Sequence, residues 1–85
     1  MRQAIQTRFL GPTNSRGARV KATCEAGSVT VAWDHALHIG ENHVAAAKAL
    51  AAKLEWDGNW QGGSISNGYC FVMIEDGASF VVPQS

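Results

Sequence analysis

The sequence predicts an α+β fold: a mostly antiparallel sheet of five to six strands, with one alanine-rich helix packed on one face, in the order β-β-β-α-β-β(-β). Three observations predict it. Residues 18–24 alternate strictly between small apolar and polar side chains, the pattern of a half-buried strand. Residues 42–56 change period and fill with alanine, leucine and lysine, all good helix formers. The connections between periodic segments are short and rich in glycine, asparagine and aspartate, which favours antiparallel neighbours.

The first strand is expected over Ala4–Leu10, with Ile5, Thr7 and Phe9 on one side and Gln6 and Arg8 on the other. Gly11-Pro12-Thr13-Asn14-Ser15-Arg16-Gly17 is a loop by composition. The second strand, Ala18–Cys24, puts Ala18, Val20, Ala22 and Cys24 on one face and Arg19, Lys21 and Thr23 on the other. Glu25-Ala26-Gly27-Ser28 turns the chain into a third strand, Val29–Trp33. The helix follows a loop over 34–40 and runs from about Asn42 to Trp56. Val44, Ala47, Leu50, Ala51 and Leu54 form its inner face, Asn42 its N-cap and Gly58 its stop. A weaker strand spans Asn59–Ser66, thinned by Gly62-Gly63. Asn67-Gly68 is a two-residue hairpin signal. In the next strand, Tyr69–Glu75, the run Phe71-Val72-Met73-Ile74 is apolar on both faces, which suggests a central position. Asp76-Gly77 turns again, and Ala78–Val82 closes the sheet before Pro83.

Eighty-five residues make one domain, 1–85, and 46% hydrophobic residues are too many for a disordered chain. No apolar run approaches the roughly 18–20 residues of a membrane helix, and the polar start lacks the features of a signal peptide. The expectation is a complete, cytoplasmic chain. Two cysteines, Cys24 and Cys70, are too few for a secreted disulfide scaffold and fit two buried, reduced thiols.

The net charge is zero, but the signs are segregated. Arg2, Arg8, Arg16, Arg19 and Lys21 fall in the first 21 residues with no acid among them, whereas the remainder carries all seven acids with only Lys48 and Lys53. A basic first hairpin marks one face for an anionic partner, unless the acidic half neutralises it on folding. The glycine-bounded first loop, with Asn14 and Arg16, has the composition of an anion-holding loop, although no Gly-Lys-Ser/Thr follows as in a P-loop. Arg19 and Lys21 extend the positive charge along the second strand, with Arg8 placed to join them. Trp60 and Tyr69, near the last hairpin, are candidate aromatic anchors for a protein partner. The binding residues selected are therefore Asn14, Arg16, Arg19, Lys21, Trp60 and Tyr69.

Catalysis and metal binding have weaker support. His35, His38 and His43 lie within ten residues of one another with Asp34 and Glu41, but their spacing matches no zinc signature. They serve more simply to cap the helix and order the loop entering it, so they are only weak metal candidates. No nucleophile elbow, catalytic-cysteine pattern or paired-acid motif is present. The expectation is a protein without cofactor that is not an enzyme.

The run Thr7-Arg8-Phe9-Leu10-Gly11-Pro12-Thr13-Asn14-Ser15-Arg16-Gly17-Ala18-Arg19-Val20-Lys21-Ala22 resembles a stretch in small proteins of bacteriophages, prophages and mobile elements. So do Trp33-Asp34-His35, Asn42-His43 leading into Ala45-Ala46-Ala47-Lys48-Ala49-Leu50, and Gly68-Tyr69-Cys70-Phe71-Val72. The similarity covers most of the chain. It implies a phage-type accessory protein acting in a bacterial host by stoichiometric binding, for example as an inhibitor of a host defence complex of the CRISPR kind. It carries over no catalytic or binding residue. Many such inhibitors are acidic nucleic-acid mimics, and a neutral chain with a basic first hairpin departs from that pattern. The alternative is a nucleic-acid-binding module using the same basic hairpin, with affinity that falls steeply with salt. Exposed sheet edges leave a homodimer open as well.

Overall fold

In the computed structural model, which describes residues 3–66, 68–74 and 83, the chain runs β1 (Ile5–Leu10), β2 (Arg19–Cys24), β3 (Gly27–Ala32), α1 (Ile39–Lys53), β4 (Trp60–Ile65) and β5 (Gly68–Met73). The strands form one sheet in the order β3-β2-β1-β5-β4, and every neighbouring pair is antiparallel. This is the predicted α+β class with the predicted placement of the helix. The expected last strand, Ala78–Val82, lies outside the described residues.

Alternation along the strands decides which side the helix covers. Ile5, Val20, Ala22 and Phe71 are buried with Ala46, Ala47, Leu50 and Ala51 of α1. The alanines let the helix backbone come close to the sheet, so a small chain encloses a tight core. A five-stranded sheet is about 19 Å wide between its outer strands, while one helix is roughly 10 Å across. The helix packs mainly on β1, β2 and β3, touches β5 less, and leaves β4 uncovered.

Several local details differ from the sequence expectation. The helix begins at Ile39, with His38 as N-cap, and the Glu41 carboxylate accepts the His38 backbone N–H at 3.0 Å. Asn42 is therefore not the cap but a buried residue of the first turn. The inner face is also rotated: Asn42 and His43 point inward, and Val44 is 42% exposed. Periodicity missed this because it scores polar side chains as outward-facing, whereas both of these find partners inside.

The helix ends before Gly58. Leu54 is the C-cap, and Glu55 adopts a left-handed conformation at φ 59°. The Trp56 N–H donates to the Ala51 carbonyl at 2.8 Å and the Glu55 N–H to the Ala52 carbonyl at 3.1 Å. This is a Schellman motif, with glutamate where glycine is usual. At the other turns, Cys24 pairs with Gly27, so Gly27 and Ser28 belong to β3 and only Glu25-Ala26 turn the chain. Ile65 stands opposite Gly68, which opens β5 rather than forming the bend. A Cβ at Gly68 would collide with the Thr7 carbonyl, so only glycine lets β5 lie this close to β1. Finally, β5 is internal, between β1 and β4, but only its Phe71 side is buried, and Val72 on the other side is 47% exposed.

Candidate functional site

No described element covers the face of the sheet opposite the helix. Register places Arg8 of β1 directly across from Lys21 of β2, with Arg19 opposite Leu10 in the next outward-facing row. Neither Arg8 nor Lys21 has an ion-pair partner among the described residues. Like charges facing each other across two strands cost stability, and no acid among the described residues relieves the cost. A shallow depression of about 270 Å³ lies at this place, lined by Gln6, Thr7, Arg8, Lys21, Thr23 and Ile65. Arg19 Nη1 donates to the Gly17 carbonyl at 3.3 Å, while its Nε is enclosed and has no hydrogen-bond partner among the described residues. Ile65 and Val72, both exposed, share this face.

The first loop joins the same end of the sheet. Asn14 and Arg16 are exposed in it. The Thr13 N–H donates to the Arg16 carbonyl at 2.7 Å, and the Arg16 N–H donates to Thr13 Oγ1 at 3.1 Å. Two amides of an anion-holding loop are thus already used internally, so what the loop offers is mainly the Arg16 side chain.

Trp60 and Tyr69 do not join these residues. By register and packing both lie on the helix side of the sheet. Tyr69 is half-buried and leans on His43, with ring centroids 4.6 Å apart. Trp60 stacks on Trp56 at 6.1 Å and 18°. The six selected residues therefore divide between two surfaces: Asn14, Arg16, Arg19 and Lys21 around the open face and its loop, Trp60 and Tyr69 on the helix side of the sheet. Cys24 and Cys70 are free, half-buried thiols on opposite faces.

The histidines do not converge. His35 and His38 are exposed. His43 is buried, with Nδ1 2.7 Å from Thr7 Oγ1 and its ring among Trp33 and Tyr69. Burial pushes the His43 pKa below its ordinary value. Among the described residues no three His, Cys, Asp or Glu side chains stand close enough to hold a metal ion. Asn42 organises the loop that carries His35 and His38. Its Oδ1 accepts the Asp34 N–H at 2.8 Å, and its Nδ2 donates to the carbonyls of Asp34 (3.0 Å), His38 (3.1 Å) and Leu37 (3.3 Å).

Because α1 leaves the β4 side of the sheet bare, an apolar groove of about 740 Å³ runs beside it. Ile5, Gly62 and Phe71 form its floor, Val44, Ala47 and Ala51 its helix wall, and Trp56 and Trp60 one end. Gly62 makes the floor possible, since a Cβ there would strike the Phe71 ring. No helix among the described residues is long and apolar enough to cross a membrane. Comparison of the chain with protein-family models, curated proteins and solved structures gives no match.

Proposed function

We propose that this chain is a phage-type accessory protein that acts by stoichiometric binding rather than catalysis, applying the basic open face of its sheet to an acidic surface of a host protein complex. A defence nuclease complex of the CRISPR class is the instance the resemblance favours. The observation that carries the reading is the Arg8–Lys21 pair: two cations held opposite each other, with no described acid to neutralise them. A locally unfavourable arrangement of this kind fits a surface that an anionic partner completes. Arg19, with an unmet donor, and Arg16 on the adjoining loop extend it. Exposed Ile65 and Val72 add apolar contact area beside the charges, the mixture found in protein interfaces.

The nucleic-acid reading uses the same cations and differs in what lies between them. Single-strand binders add aromatic rings on which bases stack. Among the described residues Phe9, Trp33, Trp60, Tyr69 and Phe71 belong to the helix side, and the open face presents the aliphatic Ile65 and Val72 instead. That favours a protein partner.

The test is an affinity capture of the tagged chain from bacterial lysate, with and without nuclease, read by mass spectrometry. A stoichiometric protein that survives nuclease supports the proposal and names the target. Proteins lost on nuclease treatment, with nucleic acid recovered, would transfer the assignment to nucleic-acid binding.

A further inference from the structure

β3 ends the strand order, and among the described residues nothing pairs with its far side. The Trp33 N–H donates to the Ala18 carbonyl at 3.0 Å, which together with the β2–β3 register sets the phase of the ladder. Gly27, Val29, Val31 and Trp33 turn their backbone groups to β2, whereas Ser28, Thr30 and Ala32 turn theirs outward. Of these outward groups only the Ser28 carbonyl has a partner among the described residues, Lys53 Nζ at 3.2 Å. The strand carries no charge and no proline, and its register runs without a bulge, so apart from Lys53 at one end it lacks the usual devices that keep an edge from pairing.

We infer that this edge is a self-association surface, on which a second copy of the chain lays its own β3 antiparallel about a two-fold axis at Thr30. A two-fold interface matches a patch with itself, so a strand that serves it must complement its own reversed copy. Ser28-Val29-Thr30-Val31-Ala32 does, since it reads nearly the same in both directions. Thr30 meets the partner's Thr30, and Ser28 meets the partner's Ala32, each pair exchanging both of its N–H···O bonds. The Ser28 carbonyl has a second lone pair for the partner's Ala32 N–H. Between these pairs Val29 meets the partner's Val31 on the helix side, where both valines are only half-buried in the single chain. At the ends Gly27 meets the partner's Trp33. Nothing lies within 4 Å of the place a Gly27 Cβ would take, so there is room for the ring, and an aromatic side chain beside an edge glycine covers its bare backbone. This pairing of small with large and valine with valine selects a second copy over an unrelated strand. β4, at the other end of the order, has Gly62-Gly63 in its middle and offers no side-chain pairs there.

The axis stands perpendicular to the sheet, so both helices share one face and both basic faces the other. α1 lies over β1, β2 and β3. The two helices are therefore about 14 Å apart, clear of the roughly 8–10 Å at which helices touch. The two Lys21 side chains are three strand spacings apart, about 14 Å, beyond the screening length of physiological salt. The contact is one strand wide and falls below the roughly 1,200 Å² of standard interfaces, so the dimer is weak, dissociating at about 10 μM or above. Main-chain bonds and apolar pairs hold it, so salt changes it little.

Sedimentation velocity on the full chain, from roughly 10 μM to 1 mM, tests this directly. The mass is expected to rise from monomer to dimer. Thr30→Pro removes both central N–H donors, which β2 does not use, and should raise the dissociation constant about tenfold or more. Because Thr30 meets itself, Thr30→Lys alone and Thr30→Glu alone each set like charges opposite one another and should weaken the dimer about fivefold. Mixing those two variants sets opposite charges on the axis, so the mixture dimerises more tightly than either component. Circular dichroism confirms that each variant folds. A monomer at every concentration overturns the inference. So does a dimer indifferent to Thr30→Pro, or a mixture no tighter than its components.

Discussion

Replacing Asn42 by alanine removes the side chain that ties the first turn of α1 to the loop before it. Asn42 is 2% exposed and makes four contacts with backbone groups. Its two amide hydrogens are shared among three carbonyls, so with the Oδ1 acceptor the count is about three full hydrogen bonds. At roughly 1 kcal/mol net for each, Asn42→Ala costs about 3 kcal/mol. An 85-residue domain has a stability on the order of 4–13 kcal/mol, so the loss is a large share of the whole. It corresponds to a fall in Tm of roughly 12–24 °C. Urea and thermal unfolding, followed by circular dichroism, measure both values. Asn42→Asp retains the acceptor for the Asp34 N–H and loses the donors, so it should fall between alanine and the parent. A loss below about 1 kcal/mol for Asn42→Ala would refute the reasoning, because the bonds would then be exchanged for water without cost.

Two further outcomes concern stability. Glu55→Gly relieves the left-handed strain at the end of α1 and should stabilise the monomer by about 0.5–1 kcal/mol, visible as a rise of a few degrees in Tm; a lower Tm would mean that the Glu55 side chain makes a stabilising contact within one chain. His43 is held neutral by burial, so the unfolded chain binds a proton near pH 6.5 that the folded chain takes up only at lower pH. Stability should therefore be level with respect to this group above about pH 6.5 and fall as the pH drops from there toward the depressed folded value. Urea melts of the parent and of His43→Gln across this range should show a shallower acid loss in the variant, and parallel curves would count against the assignment.

The sheet was legible because its strands obey period two: Val20 and Ala22 lie inward, and Arg19 and Lys21 outward, as alternation requires. The helix was legible in extent to within three residues but not in rotation. Asn42 and His43 are polar, and the apolar period does not reveal that the loop at Asp34, eight residues earlier, partners Asn42, or that Thr7, across the fold, partners His43. The groove was invisible for a different reason. It arises from the mismatch between one helix and a five-strand sheet, a property of the assembled layers and not of any segment. The basic face was legible in composition, since Arg8, Arg19 and Lys21 were grouped from the sequence. Separation of Trp60 and Tyr69 from them needed strand order and parity together: β5 lies beside β1, and the odd positions of β5 face the helix.

The central claim is that the open face, through Arg8 and Lys21, makes the contact with the partner. The most direct measurement is the affinity of the captured partner for the parent chain and for Arg8→Glu/Lys21→Glu, by isothermal titration calorimetry. Arg16→Ala/Arg19→Ala is carried alongside, and circular dichroism confirms that each variant folds. Replacing two attractive charges by two repulsive ones should weaken binding by about a hundredfold or more. The alanine pair should abolish detectable binding while the domain stays folded. Affinity unchanged in both variants would contradict the claim and place the contact elsewhere on the molecule.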